Sequence, residues 1–163
     1  MNEPAQKPRY PDMRFGVDLP AVRRFELADI AQHAKWLLPR LIKAYPHLTE
    51  RTALGFLNSI LYSTEYYFCY QPHAVGLVKI ERSHSLAAFP LVREMFVWVE
   101  DAKNPAHLDE ALAFYPEFQT WAKHHGAETM LVEENSDLPH DLVRACFEGR
   151  IFTREQKFVK VKK

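Results

Sequence analysis

The sequence predicts a mixed α/β fold in one domain, and three observations carry that prediction. Residues 89–134 read as strand, loop, helix, strand: VREMFVWVE within Phe89–Glu100, the loop Asp101–Pro105, a helix from about Ala106 to His125 that stops at Gly126, and AETMLVEE over Ala127–Glu134. Two apolar strands joined by a helical crossover make a βαβ unit with parallel strands. Two further strand-like runs on short turns precede this unit, which predicts an antiparallel meander feeding a parallel crossover. Ahead of those, two amphipathic stretches read as helices.

In chain order, Val22–Leu27 (VRRFEL) reads as a short first strand. Asp29 is the expected N-cap of a helix over about Ile30–Tyr45. Its buried face is expected at Ile30, Ala34, Leu37, Leu38, Leu41 and Ile42, with Pro39 kinking or splitting it. Thr49 caps a second helix, about Glu50–Tyr62, whose buried face is marked by Leu54, Leu57, Ile60 and Leu61. Tyr66–Tyr70 is an aromatic strand, Gln71–His73 a turn, and Ala74–Arg82 its hairpin partner, with Gly76 at a point of close backbone approach. A turn at Ser83–Ser85 leads into the strand Phe89–Glu100. In the following helix, Pro116 bends or splits the chain. Asn135-Ser136-Asp137 can start a helix, with Pro139 in its first turn, that runs to about Glu148 and ends at Gly149, and Arg150–Thr153 with Gln156–Val161 read as a final hairpin. The expected order is strand, helix, helix, three strands, helix, strand, helix, two strands.

The chain has 163 residues, 47% hydrophobic, which suffices for a packed core. Residues 1–20 hold four prolines and little apolar periodicity, so they read as an extended arm, with 21–163 as the single domain. Lys plus Arg equals Asp plus Glu at 21 each, which argues against nucleic acid as a general partner. No apolar run reaches membrane-spanning length, and no secretory leader is evident, which points to the cytoplasm. Cys69 and Cys146 are far apart, with no CxxC and no Cys–His zinc spacing, and no HxxxH pair is backed by a carboxylate, so no metal is expected. His124 and His125 suit the negative end of a helix. No GxSxG, P-loop or GxGxxG motif is present.

Three segments carry a family resemblance over about residues 22–162: the strand ending FVWV followed by a loop and a helix closing on WAKHHGA (Trp121–Ala127), then MLVEEN (Met130–Asn135), then CFEGRIFTREQKFVKV (Cys146–Val161). In this order and spacing the chain resembles the GNAT (Gcn5-related N-acetyltransferase) family, with its acyl-CoA N-acyltransferase fold and mixed sheet. The resemblance implies an acetyl-CoA cofactor between the two strands of the βαβ unit. Its pantetheine would pair with the backbone of Phe96, Val97, Trp98 and Val99, and its pyrophosphate would sit on the loop around Lys103, Asn104 and His107, with Asn135 nearby after the next strand. Free N–H groups at a helix start bind phosphates, and glycines let the backbone come close.

Here the sequence departs from the family. Asp101–Glu110 contains no glycine, and Pro105 has no N–H. Asp109 and Glu110 fall near the expected phosphate position, or simply in a first helical turn where the dipole favours acids. The family's general-acid tyrosine is matched by Phe147, which has no proton to give, and neighbouring Cys146 reads as a buried thiol. Glu94 is the leading candidate for a general base, with Glu65 second; the bland reading of Glu94 is a surface charge paired with Arg93 or Arg82. Tyr66, Tyr67, Phe68 and Tyr70 fit a core strand better than a stacking platform.

Two function classes follow. One is an acyl-CoA-dependent N-acyltransferase acting on an amine substrate. The other is a catalytically silent GNAT-like protein, resembling small bacteriophage proteins, that binds a protein or nucleic-acid partner in the host cytoplasm or the virion. Lys157, Lys160, Lys162 and Lys163 would offer it a contact surface, or protect an edge strand. A homodimer through the arm or the C-terminal strands is compatible with the sequence. An open cleft with available N–H groups near Lys103–His107 favours the first class; a cleft filled by Trp98, Phe114 or Tyr115 favours the second.

Overall fold

The computed structural model describes residues 19–82, 90–127, 129–132, 136–147 and 159–162. Residues 1–18 of the proline-rich arm, the turn at Ser83–Ser85 and the first limb of the final hairpin therefore lie outside the described residues. The elements in order are β1 (Arg23–Arg24), α1 (Leu27–Ala44), α2 (Glu50–Leu61), β2 (Tyr66–Gln71), β3 (Ala74–Glu81), β4 (Leu91–Val99), α3 (Pro105–Leu112), α4 (Phe114–His124), β5 (Thr129–Val132), α5 (His140–Phe147) and β6 (Val159–Lys162).

The strands form one mixed sheet in the order β1-β2-β3-β4-β5-β6. The expected meander is present: β2, β3 and β4 are antiparallel, and β4 then pairs parallel with β5. At the end of the chain β6 pairs parallel with β5, with α5 in the connection; the first limb of the expected hairpin lies outside the described residues.

Each face of the sheet carries its own core. On one side α1 and α2 bury Leu37, Leu41, Leu57 and Ile60 against Phe68, Leu77, Phe96 and Trp98. On the other, α3, α4 and α5 bury Leu112, Phe114, Tyr115, Phe118 and Leu142 against Val78, Val92, Val97 and Val99. Gly76 makes the second face possible. A Cβ there would lie 2.8 Å from ring atoms of both Phe114 and Phe118. The close approach expected at this glycine is thus an aromatic packing contact.

Local chemistry explains where the helices depart from expectation. Asp29 is not the N-cap of α1 but its third residue: its carboxylate accepts from the Glu26 N–H (2.8 Å) and is gripped by both Arg23 Nη atoms at 2.8 Å. A carboxylate reaching back to the cap amide starts the helix one turn early. α1 runs unbroken through Pro39. Its buried face includes Asp29 and His33, while Ile30, Ala34 and Ile42 are only partly covered. In α2, capped by Thr49 as expected, Ala53 takes the buried place and Leu54 is exposed. The long third helix splits at Ala113. Pro116 has no N–H for the Leu112 carbonyl, and its ring crowds that carbonyl. It is instead the third residue of α4, where a helix needs no donor. Gly126 follows α4 with φ of 77°, the left-handed stop that glycine permits.

Candidate functional site

Residue 95 sets the geometry of β4. Leu77 faces Phe96 and Val78 faces Glu94, so Met95 is an extra residue without a partner on β3. Such a bulge re-phases the side chains of a strand. Val92 and Glu94 point to the α3–α4 face; after the bulge Phe96 and Trp98 point to the α1–α2 face, and Val97 and Val99 return to the first. All four residues proposed for pantetheine contact are buried, and the Phe96 and Trp98 rings stack at 3.8 Å.

The edge of β4 that faces β5 changes partner along its length. Leu91, Val92 and Arg93 pair with Thr129, Met130 and Leu131. Farther on, the segment after β5 takes over. The Asp137 N–H donates to the Val97 carbonyl (2.9 Å), and the Val99 N–H donates to Asp137 Oδ2 (2.9 Å). Arg40 of α1 holds the same carboxylate in a two-pronged pair at 2.7 and 2.5 Å, with its guanidinium 5.0 Å from the Trp98 ring centre. Asp137 therefore occupies the backbone groups that the resemblance assigns to pantetheine.

The loop after β4 is similarly self-contained. Asp101 adopts φ of 57°, and its carboxylate accepts from the Lys103 N–H (3.2 Å). The Asn104 N–H donates to the Asp101 carbonyl. Asn104 is the N-cap of α3: its side chain accepts from Ala106 N–H (3.0 Å), and its carbonyl accepts from His107 and Leu108. Pro105, at the first helical position, brings no donor. The amides from 103 to 108 that could face a phosphate are thus already bonded within the loop. Asp109 and Glu110 are not in the first turn; they lie one turn on, and both are buried.

Glu94 is not a surface charge. It is fully buried, and the Tyr115 hydroxyl donates to its Oε1 at 2.7 Å. Arg93 pairs with Glu81 and Arg82 with Glu65. Glu65 is half-buried beside β2. Asn135 lies outside the described residues, as do the side chains of Cys146 and Phe147. Cys69 is a buried free thiol whose pKa burial pushes well above the ordinary value, which fits an inert core residue. Phe68 and Tyr70 are buried and Tyr66 and Tyr67 partly so, in line with a core strand.

One constellation escapes sequence reading. His73, in the β2–β3 turn, stacks on His107 of α3 with ring centres 4.1 Å apart and planes 9° from parallel. Its Nδ1 lies 2.9 Å from Glu110 Oε2. Ligand-type atoms of His73, His107 and Glu110 all fall within 4.8 Å of one another. The only linear signal is the His107–Glu110 spacing, which puts both on one face of a helix; the third member comes from a turn 34 positions upstream. A separate groove of about 330 Å³ is lined by Ala34, Lys35, Leu38, Pro39, Ile42 and Glu50 and by none of the candidate catalytic or cofactor residues.

No family model and no curated protein matches this sequence. Solved structures are similar in fold. A probable acetyltransferase matches with a TM-score of 0.59 at 14% identity, over 87% of this chain and 95% of the other. The aminoglycoside 6'-N-acetyltransferase AAC(6')-Ig from Acinetobacter haemolyticus matches at 0.53 and 16%, over 86% and 94%. AAC(6')-Iy, in complex with the bisubstrate analogue CoA-S-monomethyl-acetylneamine, matches at 0.52 and 12%, over 88% and 96%. These neighbours lend no support to the resemblance to phage proteins. With the bulged β4, its parallel partner β5 and helices on both faces, the chain has the GNAT acyl-CoA N-acyltransferase fold.

Proposed function

We propose that the protein is an acyl-CoA-dependent N-acyltransferase whose cofactor edge is held shut in the free protein by Asp137. The observation that carries this reading is the pair Val97 O and Val99 N. Beyond Arg93 these β4 groups are satisfied by one side chain and one amide of the 136–138 segment, not by β5. An acyl-CoA amide can take over both contacts, since it also offers an acceptor and a donor. The CoA-containing ligand of AAC(6')-Iy supports the cofactor class. In the reaction the acceptor amine nitrogen attacks the thioester carbonyl and gives up a proton, a C–N bond forms, the C–S bond breaks, and CoA leaves as a thiolate that takes up a proton. Phe147 cannot supply the thiolate's proton; the proton that the amine gives up balances it. Glu94 acts as base only if the opening that releases Asp137 also uncovers it.

Calorimetric titration with acetyl-CoA, using wild type and Asp137→Ala, tests this reading. The wild type should bind weakly, because the cofactor must first displace Asp137. The variant should bind about tenfold tighter, a difference of about 1.4 kcal/mol, while circular dichroism confirms that it is folded. If neither protein binds acetyl-CoA at millimolar concentration, the acyltransferase reading is overturned. The bonded amides of 103–108 and the Asp137 contacts would then favour the second reading, a GNAT-fold protein that acts by binding a partner.

A further inference from the structure

We propose that His73, His107 and Glu110 bind a single divalent transition-metal ion, zinc by the chemistry of the ligands. The inference is independent of acyl transfer. Two imidazoles and one carboxylate form a common three-ligand set for zinc, which leaves a fourth position to water or an anion.

The contacts around His107 set its tautomer for this role. His107 Nδ1 abuts the Glu100 carbonyl, which can only accept, so Nδ1 carries the proton and Nε2 keeps the lone pair. A backbone carbonyl on the distal nitrogen is the usual way a metal-binding histidine is set. The Asn104 side-chain amide, 3.3 Å away, donates to that lone pair and has to swing aside for a metal. Asn104 Oδ1 holds the Ala106 amide, so the cap and the ligand compete for one side chain. The two contributing segments are also tied by backbone: Glu100 N–H donates to the His73 carbonyl at 2.9 Å. Glu110 is almost fully enclosed, and its Oε2 is directed at His73. A buried carboxylate calls for a positive partner, and a metal supplies one. Ligands on tetrahedral zinc sit about 3.3 Å apart, given metal–ligand bonds of about 2.0–2.1 Å. The trio spans up to 4.8 Å, and the His73 and His107 rings are stacked, so His73, exposed on a hairpin turn, must turn out of the stack for both rings to point at one ion.

The test uses the untagged full chain, dialysed against chelator and titrated with Zn²⁺ alone in a calorimeter. One equivalent per chain is expected. His73→Ala, which removes an exposed side chain, should weaken binding at least tenfold, and Glu110→Gln, which keeps the shape but not the charge, should do the same. A double variant at His124 and His125 should bind like wild type. Co²⁺ substitution should give the strong visible absorption of a four-coordinate site, lost in His73→Ala. Absence of binding at a tenfold excess of Zn²⁺, or binding unchanged by His73→Ala and Glu110→Gln, overturns the proposal.

Discussion

β4 is held differently along its two edges. Toward β3 it is paired from Leu91 to Val99 with one bulge, and the aromatic rings of α4 pack directly over the partner strand at Gly76. Toward β5 it has three pairings, after which one carboxylate and one amide stand in for a strand. A ladder of backbone bonds beneath a close-packed helix cannot open without unfolding. A single aspartate anchored by an arginine from another helix can be exchanged for a ligand. The first edge belongs to the fold; the second is where function can act.

The largest expected effect breaks the β3 side. Gly76→Val places atoms where Phe114 and Phe118 already sit, and both rings are fully buried with little space to move into. The expected loss is about 3 kcal/mol, the upper part of the range for overpacking, read from urea unfolding. Any acetyl-CoA affinity per folded molecule should not change. A loss below about 1 kcal/mol would show that the α4 contact is looser than these distances say.

A smaller effect comes from beneath β4. Tyr115→Phe removes the buried hydrogen bond to Glu94 and should cost about 2 kcal/mol. If Glu94 and Tyr115 are only structural, Glu94→Gln keeps a side chain that can still accept from Tyr115 and loses little. Should Glu94→Gln abolish acyl transfer while unfolding like wild type, the carboxyl group would have to be reached by substrate, and the β5 edge would open farther than the Asp137 contact alone.

How much of this was legible follows from the kind of signal each part leaves. The antiparallel meander, the parallel crossover, the Thr49 cap and the Gly126 stop were readable, because periodicity and capping are local. The break at Ala113 was half readable: the proline was visible, but its effect falls on the turn before it. The bulge at Met95 was not, because VREMFVW has apolar residues and one charge on each side of the strand, so alternation cannot fix its phase. Asp29 and His33 on the buried face of α1 were missed because their partners, Arg23 and Tyr70, lie outside the helix. Asp137 looked like part of a helix start; its partners are 38 and 97 positions away. The direction of β6 depends on sheet pairing that no local pattern encodes.

The smallest effect sharpens the comparison through pH. α1 carries both Arg40, which anchors Asp137, and His33, which packs against β2. Trp36 Nε1 donates to His33 Nδ1 (3.1 Å), so Nε2 carries the proton and donates to the Tyr70 hydroxyl (3.2 Å). This pattern requires the neutral ring. Burial is the main cause that pushes the His33 pKa below its ordinary value of 6.5, partly opposed by the nearby Asp29 carboxylate. The unfolded chain therefore takes up this proton first as pH falls. The contribution of neutral His33 is fully present above the ordinary imidazole value and is lost as pH drops through the window beneath it. Urea midpoints measured from about pH 7.5 to about 5.5 should fall in wild type and fall less in His33→Gln. Because the weakened helix holds the Asp137 anchor and not the β3 ladder, amide exchange at Val99 should accelerate over that range before exchange at Lys79, which faces Arg93 of β4, does. Equal acceleration at both amides would mean that the two edges of β4 open together, and the distinction between them would fail.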